Sequence, residues 1–174
     1  MIEKKCKEGG NMFDNWHINS NHDIADKIQR LEDIEAIRNL KARYCAFCDD
    51  GYDPDGIASL FVEDGIWEGG IRTQGKHEGR DAIRSYFTGT SSRITFSVHN
   101  AINPIIEVDG DTAHASWNLF QPCTESGQAY WVSGVYQDDY VKVDGQWFFK
   151  HLRITFNFWT PFEQGWEKQP FPNP

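Results

Sequence analysis

The spacing of apolar residues changes once along this chain, from steps of three and four to steps of two, and that change decides the fold class. Apolar residues recur as Ile24, Ile28, Leu31, Ile34, Ile37, Leu40, Tyr44 and Phe47, the stripe of a long amphipathic helix expected to end near Asp49 to Gly51. Asp53 followed by Pro54 predicts a second helix, with Asp as its cap, Pro at its first position, and Ile57, Leu60 and Phe61 as its apolar face. Glu63-Asp64-Gly65 reads as a turn, Ile66-Trp67-Glu68 as a strand, and Gly79-Arg80-Asp81 as the opening of a third helix running through Phe87. From Ile94 the period is two, which predicts strands at about 94–108, 111–122, 129–143 and 146–158, the last two joined by an Asp144-Gly145 hairpin. Helices first and a meander of long antiparallel strands afterwards make an α+β fold rather than an alternating α/β one. Residues 1–22 are polar, carry a Gly-Gly and lack any period, so they are expected to be a flexible tail on a single domain spanning 23–174.

Charge and cysteine usage exclude several functions. A net charge of −9 and a pI near 5.0 leave no basic surface for a phosphate backbone, so no nucleic-acid partner is expected. No apolar run approaches the ~18 residues of a membrane span and the N-terminal residues show no apolar h-region, so a cytoplasmic protein with no membrane partner is expected. Of Cys6, Cys45, Cys48 and Cys123, only Cys45 and Cys48 are closely spaced. That pair falls inside the first helix with no second pair after it, so the cysteines read as free thiols rather than as a metal or redox site. The pairs Asp49-Asp50, Glu63-Asp64 and Asp138-Asp139 lack a His or second carboxylate at ligand spacing. Apart from Asp49 they read as solvated turns and strand ends. No metal or other cofactor is expected.

What remains for chemistry is a short set of polar residues within an aromatic-rich body of 7 Trp, 12 Phe and 6 Tyr. Period-two alternation places Thr95, Ser97, His99 and Ala101 on one strand face, with His99 in mid-strand. A histidine there is either a satisfied structural group or a general base. Asp49 either finishes the first helix or partners a base, and Tyr44 is either a core aromatic or a hydroxyl donor. Among the other histidines, His77 falls in a Gly-rich loop and His114 on a strand between alanines, while His151 shares a face with Arg153. The rings supply either core packing or the wall of an apolar pocket, with Trp67, Trp117, Tyr136 and Phe156 the wall candidates.

Three stretches taken together, IEAIRNLKARYCAFCDDGYD, VHNAINPIIEV and GVYQDDYVKVDGQWFFKHLRITFNFWTP, resemble the SnoaL-like branch of the nuclear-transport-factor-2-like superfamily. The bile acid 7α-dehydratase and γ-hexachlorocyclohexane dehydrochlorinase families are the nearest in pattern. The resemblance implies a cone-shaped fold, a curved, mainly antiparallel sheet packed against about three helices around a pocket. It also implies a catalytic group of Tyr44, Asp49, His99 and Arg153, and a self-associating chain, trimeric or dimeric. Gln121 stands where the bile acid enzyme has a second Asp; it cannot ionise, but it can hydrogen-bond a substrate. With Trp117, Trp67 and Tyr136 it completes an expected binding site for a small hydrophobic molecule. The implied chemistry is cofactor-independent elimination by a His-Asp dyad. A SnoaL-like isomerase or polyketide cyclase and a non-catalytic ligand-binding domain are the alternatives.

Overall fold

A computed structural model describes residues 24–70, 73 and 75–172. The expected tail at 1–22 lies outside them. Helix α1 spans Ile24–Asp49, α2 Pro54–Ser59 and α3 Arg80–Arg93, followed in the last segment by a single turn, α4, at Gly165–Lys168. Seven strands complete the domain: β1 Phe61–Glu68, β2 Lys76–Glu78, β3 Ile94–Ser97, β4 Asn100–Asp109, β5 Thr112–Glu125, β6 Gln128–Val143 and β7 Gln146–Pro161. They form one sheet in the order β2-β1-β7-β6-β5-β3, with β4 also pairing β5. All pairings are antiparallel except β1 with β7.

The sheet curls into a half-barrel around the core. Its bend is marked on β6 by a register shift between Ser133 and Gly134, where a Cβ on Gly134 would stand 2.7 Å from the Thr155 carbonyl oxygen. Only glycine lets the two backbones approach that closely. Inside the curl, alternate residues of β5 (Ala113, Ala115, Trp117, Leu119, Gln121, Cys123) and of β6 (Val132, Tyr136, Asp138, Tyr140) are buried. Ile37, Leu40, Tyr44 and Cys48 of α1 close over them, each large apolar side chain contributing about 1.5–3 kcal/mol by leaving water.

Four expectations need correction. The apolar stripe of α1 is buried only in part: Ile24, Ile28 and Leu31 are exposed, and packing begins at Asp33. Asp33 accepts from Trp147 Nε1 at 2.9 Å and pairs with Lys142 at 2.6 Å. Both partners flank the Asp144-Gly145 turn at the rim of the sheet, so the turns of α1 before Asp33 overhang it. Glu63-Asp64-Gly65 is not a turn; it lies within β1, where an irregular register against β7 between Phe61 and Ile66 absorbs it. Helix α3 continues past Phe87 to Arg93 through Thr-Gly-Thr-Ser-Ser, because the hydroxyls of Thr88, Thr90, Ser91 and Ser92 bond back to carbonyls of the preceding turn. Finally, the strand expected at 94–108 is two strands, broken at Val98 and His99.

Candidate active site

The break between β3 and β4 frees the His99 backbone from the sheet ladder, and its N–H turns to the last residue of α1. Asp49 accepts that N–H through both oxygens, at 3.0 and 2.9 Å, and accepts His99 Nδ1–H at 2.6 Å. Ser97 Oγ donates to the same carboxylate at 3.3 Å. A carboxylate held by one backbone and two side-chain donors has little freedom to move, and it fixes the tautomer: with the proton on Nδ1, Nε2 is the ring's basic nitrogen. The His99 side chain is 5% exposed and that of Asp49 29%. His99 lines a small interior cavity of about 40 Å³, while Asp49 stands behind it.

Tyr52 completes the dyad's surroundings. It follows Gly51 at the end of α1 with a φ of 58°, a left-handed conformation that costs a bulky residue energy and that clusters at functional sites. This conformation sets its ring edge-on to His99, with centroids 5.8 Å apart, and stacks it on Phe87. Gln121 Nε2 donates to the Tyr52 hydroxyl at 3.2 Å. Burial pushes that hydroxyl well above its ordinary pKa, so it stays protonated. Nothing in the sequence marks Tyr52, since the left-handed turn follows only from how α1 ends.

The structure brings together most of the expected residues and sends two elsewhere. Tyr44, Trp67, Gln121, Tyr136 and Phe156 all line the cavity with His99. The Tyr44 hydroxyl accepts from Trp67 Nε1 at 2.9 Å, and burial raises its pKa as well. Trp117 does not line the cavity. It is buried in the core, where its Nε1 donates to the Tyr140 hydroxyl at 3.2 Å. Arg153 does not reach the cavity either. Its neighbours Leu152 and Ile154 are the buried, inward-facing residues of β7, so strand alternation turns Arg153 outward. There it donates to Asp139 at 2.8 Å and to His151 Nδ1 at 2.9 Å, and His151 in turn donates to Glu68 at 2.8 Å.

Further polar groups were missed in the sequence. Arg93, on the part of α3 beyond Phe87, lines the cavity and forms an ion pair with Glu125. Tyr86 lines it too, stacked between His77 and Trp67 with centroids 4.2 and 4.8 Å away. Asp138, expected to be solvated, is 0% exposed and pairs with Lys41 of α1 at 2.9 Å. Burial pushes the Asp138 carboxyl up and Lys41 pulls it back. Cys45, Cys48 and Cys123 are buried free thiols. Burial raises Cys45 to about 11 and Cys123 to about 12, which leaves neither as a thiolate.

Among the described residues no helix is long and apolar enough to cross a membrane. A SnoaL-like domain model matches residues 29–153. A protein of unknown function from Mycobacterium tuberculosis superposes with a TM-score of 0.68 at 28% identity, covering 78% of this chain and 77% of its own. A Novosphingobium aromaticivorans protein assigned provisionally as a scytalone dehydratase superposes with a TM-score of 0.71 at 25% identity, covering 78% and 91%. The hexachlorocyclohexane dehydrochlorinase of Novosphingobium barchaimii superposes with a TM-score of 0.71, covering 85% and 99%; at 21% identity it shares the fold and nothing finer. With a matching domain model across most of the chain and these neighbours in the same curled α+β architecture, the chain belongs to the SnoaL-like domain family.

Proposed function

We propose that this protein is a cofactor-independent lyase, of dehydratase or dehydrohalogenase type, acting on a small cyclic and mostly apolar molecule. The observation that carries this reading is the 2.6 Å contact between His99 Nδ1 and Asp49 beside a cavity walled by aromatic rings, which at about 40 Å³ must widen before a cyclic molecule enters. His99 Nε2 takes a proton from a ligand carbon; the C–H electron pair becomes the new C=C bond, and the leaving group departs with its own bonding pair. Asp49 compensates the imidazolium that forms and holds the ring in place. The Tyr44 hydroxyl, already accepting from Trp67, keeps its own proton to donate to a leaving oxygen. Gln121 and Tyr52 orient the ligand from the side of the dyad. The structural relative assigned provisionally as a scytalone dehydratase, at 25% identity, favours elimination over simple binding.

We also propose that the chain self-associates through the outer sheet face, where Phe96, Val98 and Phe120 are exposed. Sedimentation showing only monomer at micromolar concentration would end that proposal. The catalytic proposal is tested by incubating the protein with hydroxy-ketones and chlorinated cyclohexanes and following products by mass spectrometry. Loss of water or hydrogen chloride supports a lyase; a product of unchanged mass identifies an isomerase or cyclase instead.

A further inference from the structure

The most deeply buried charges in the described residues lie beneath the dyad's cavity, in the core. Lys41 Nζ donates to Asp138 Oδ2 at 2.9 Å, with side chains 1% and 0% exposed. The Tyr140 hydroxyl donates to the same oxygen at 2.9 Å, while Asp138 Oδ1 is buried with no hydrogen-bond partner among the described residues. Such a pair is a weak source of stability, because apolar residues of similar volume often serve folding as well. Its position suggests another use. Lys41 Nζ lies 3.2 Å from the centroid of the Tyr136 ring and 5.2 Å from that of Tyr44, and both tyrosines line the cavity. The ammonium thus stands directly behind the cavity wall, on the face of Tyr136.

The Tyr136 hydroxyl makes no hydrogen bond among the described residues, and Tyr136 meets the cavity. Burial pushes its pKa well above the ordinary value, so it remains a neutral donor at any working pH. A cation over the ring face draws electron density from the phenol and strengthens the O–H as a donor. The Asp138 carboxylate 2.9 Å from the ammonium offsets part of that charge, so the effect comes from the ammonium's position on the ring face. The other cations near the site are also paired and do not lie on a cavity-wall ring: Arg153 is on the outer sheet face with Asp139, and Arg93 pairs with Glu125.

We propose that the buried Lys41–Asp138 pair polarises Tyr136 from behind the cavity wall, making the Tyr136 hydroxyl the group that holds negative charge developing on a ligand oxygen. Lys41 is then a positioning residue, acting through Tyr136, and Asp138 holds it in place at 2.9 Å. This rests on the proposed function only in its use: as His99 removes a carbon proton, charge collects on the ligand oxygen, and Tyr136 donates a hydrogen bond to it without giving up its proton.

The test uses 4-nitrophenol as the probe, because its neutral and ionised forms differ in colour and no turnover is needed. The apparent pKa of the bound probe is compared with that of the free probe in four proteins. In the wild type the bound probe should ionise about tenfold more readily, a fall of about one pKa unit. Lys41→Met combined with Asp138→Leu should lose that fall while keeping a native circular-dichroism spectrum. Tyr136→Phe, which retains the ring, should lose it as well and serves alone if the double variant does not fold. His99→Ala should keep it. A fall that survives in the double variant or in Tyr136→Phe, a fall lost in His99→Ala, or a wild type that shows no fall or no saturable binding overturns the proposal. Absence of any elimination product with the fall intact would instead reject the lyase reading and leave this one standing.

Discussion

Among the described residues three histidines touch a carboxylate at nearly the same distance, and of these His99 lines the aromatic-walled cavity while His114 lines a wider, open groove. His99 meets Asp49 at 2.6 Å, His151 meets Glu68 at 2.8 Å and His114 meets Asp139 at 2.9 Å. The first has a side chain 5% exposed beside the aromatic-walled cavity; in the last, both partners are 42–50% exposed on the outer sheet face. The difference teaches that a His–carboxylate contact is a common surface feature and becomes a candidate base only when its second nitrogen opens on a space that excludes water.

The sharpest way to break this comparison is to mutate both faces. His99→Ala should reduce turnover of an identified substrate by at least the roughly 10²–10⁴ that a general base supplies, and Asp49→Asn should come close to it while the protein stays folded. His114→Ala should leave steady-state rates unchanged. Equal losses on the two faces would remove the distinction.

Next in size is the contrast between the buried Lys41–Asp138 pair and the His99–Asp49 contact. Removing Lys41 alone strands a fully buried carboxylate, so Lys41→Met should cost about 3–5 kcal/mol in chemical denaturation. Asp49→Asn, at a partly exposed carboxylate, should cost far less. Tyr44→Phe keeps the ring that packs on Tyr136 and Phe149 and deletes only the hydroxyl. It should lower turnover roughly tenfold with a small change in stability, and full activity would reduce Tyr44 to a wall residue.

Smaller effects belong to the rim. At Asp33 burial alone would raise the carboxyl, but hydrogen bonds from Lys142 and Trp147 outweigh it and leave the pKa below the ordinary value. A carboxyl depressed in the folded state contributes stability above its unfolded pKa of about 3.9 and loses it as pH falls through the folded value. Melting temperature should therefore drop more steeply below about pH 4 in the wild type than in Asp33→Asn. The smallest effect should be that of Arg153→Ala: on the outer face it should change stability by no more than ~0.5 kcal/mol and leave activity untouched. Loss of activity there would return Arg153 to the site.

The end of α1, the Asp53 cap, whose side chain accepts the Asp55 N–H at 3.1 Å, and the Asp144-Gly145 hairpin were legible because each is fixed by residues a few positions apart. The resemblance singled out Tyr44, Asp49 and His99, yet it could not show that His99 sits in a strand break, because that break depends on Asp49 capturing a backbone N–H fifty residues away. Arg153 entered the expected site only through the resemblance, which does not fix strand parity; with Leu152 and Ile154 buried, parity turns it outward. Asp138 looked solvated beside Asp139 because its partner, Lys41, is 97 residues away in sequence. Arg93 stayed hidden because a run of Thr, Gly and Ser reads as a helix end, although the hydroxyls there donate to carbonyls of the preceding turn.

The central claim is that Asp49 holds the proton on His99 Nδ1 and leaves Nε2 as a base facing the cavity. Nitrogen-15 NMR of the histidine side chains measures this directly, without a substrate. In the neutral form, His99 should show a protonated Nδ1 and a bare Nε2, and Asp49→Asn should shift the tautomer balance while His114 and His151 stay unchanged. A His99 that carries its proton on Nε2 in the wild type would contradict the account, since that ring could not accept a proton from a ligand in the cavity.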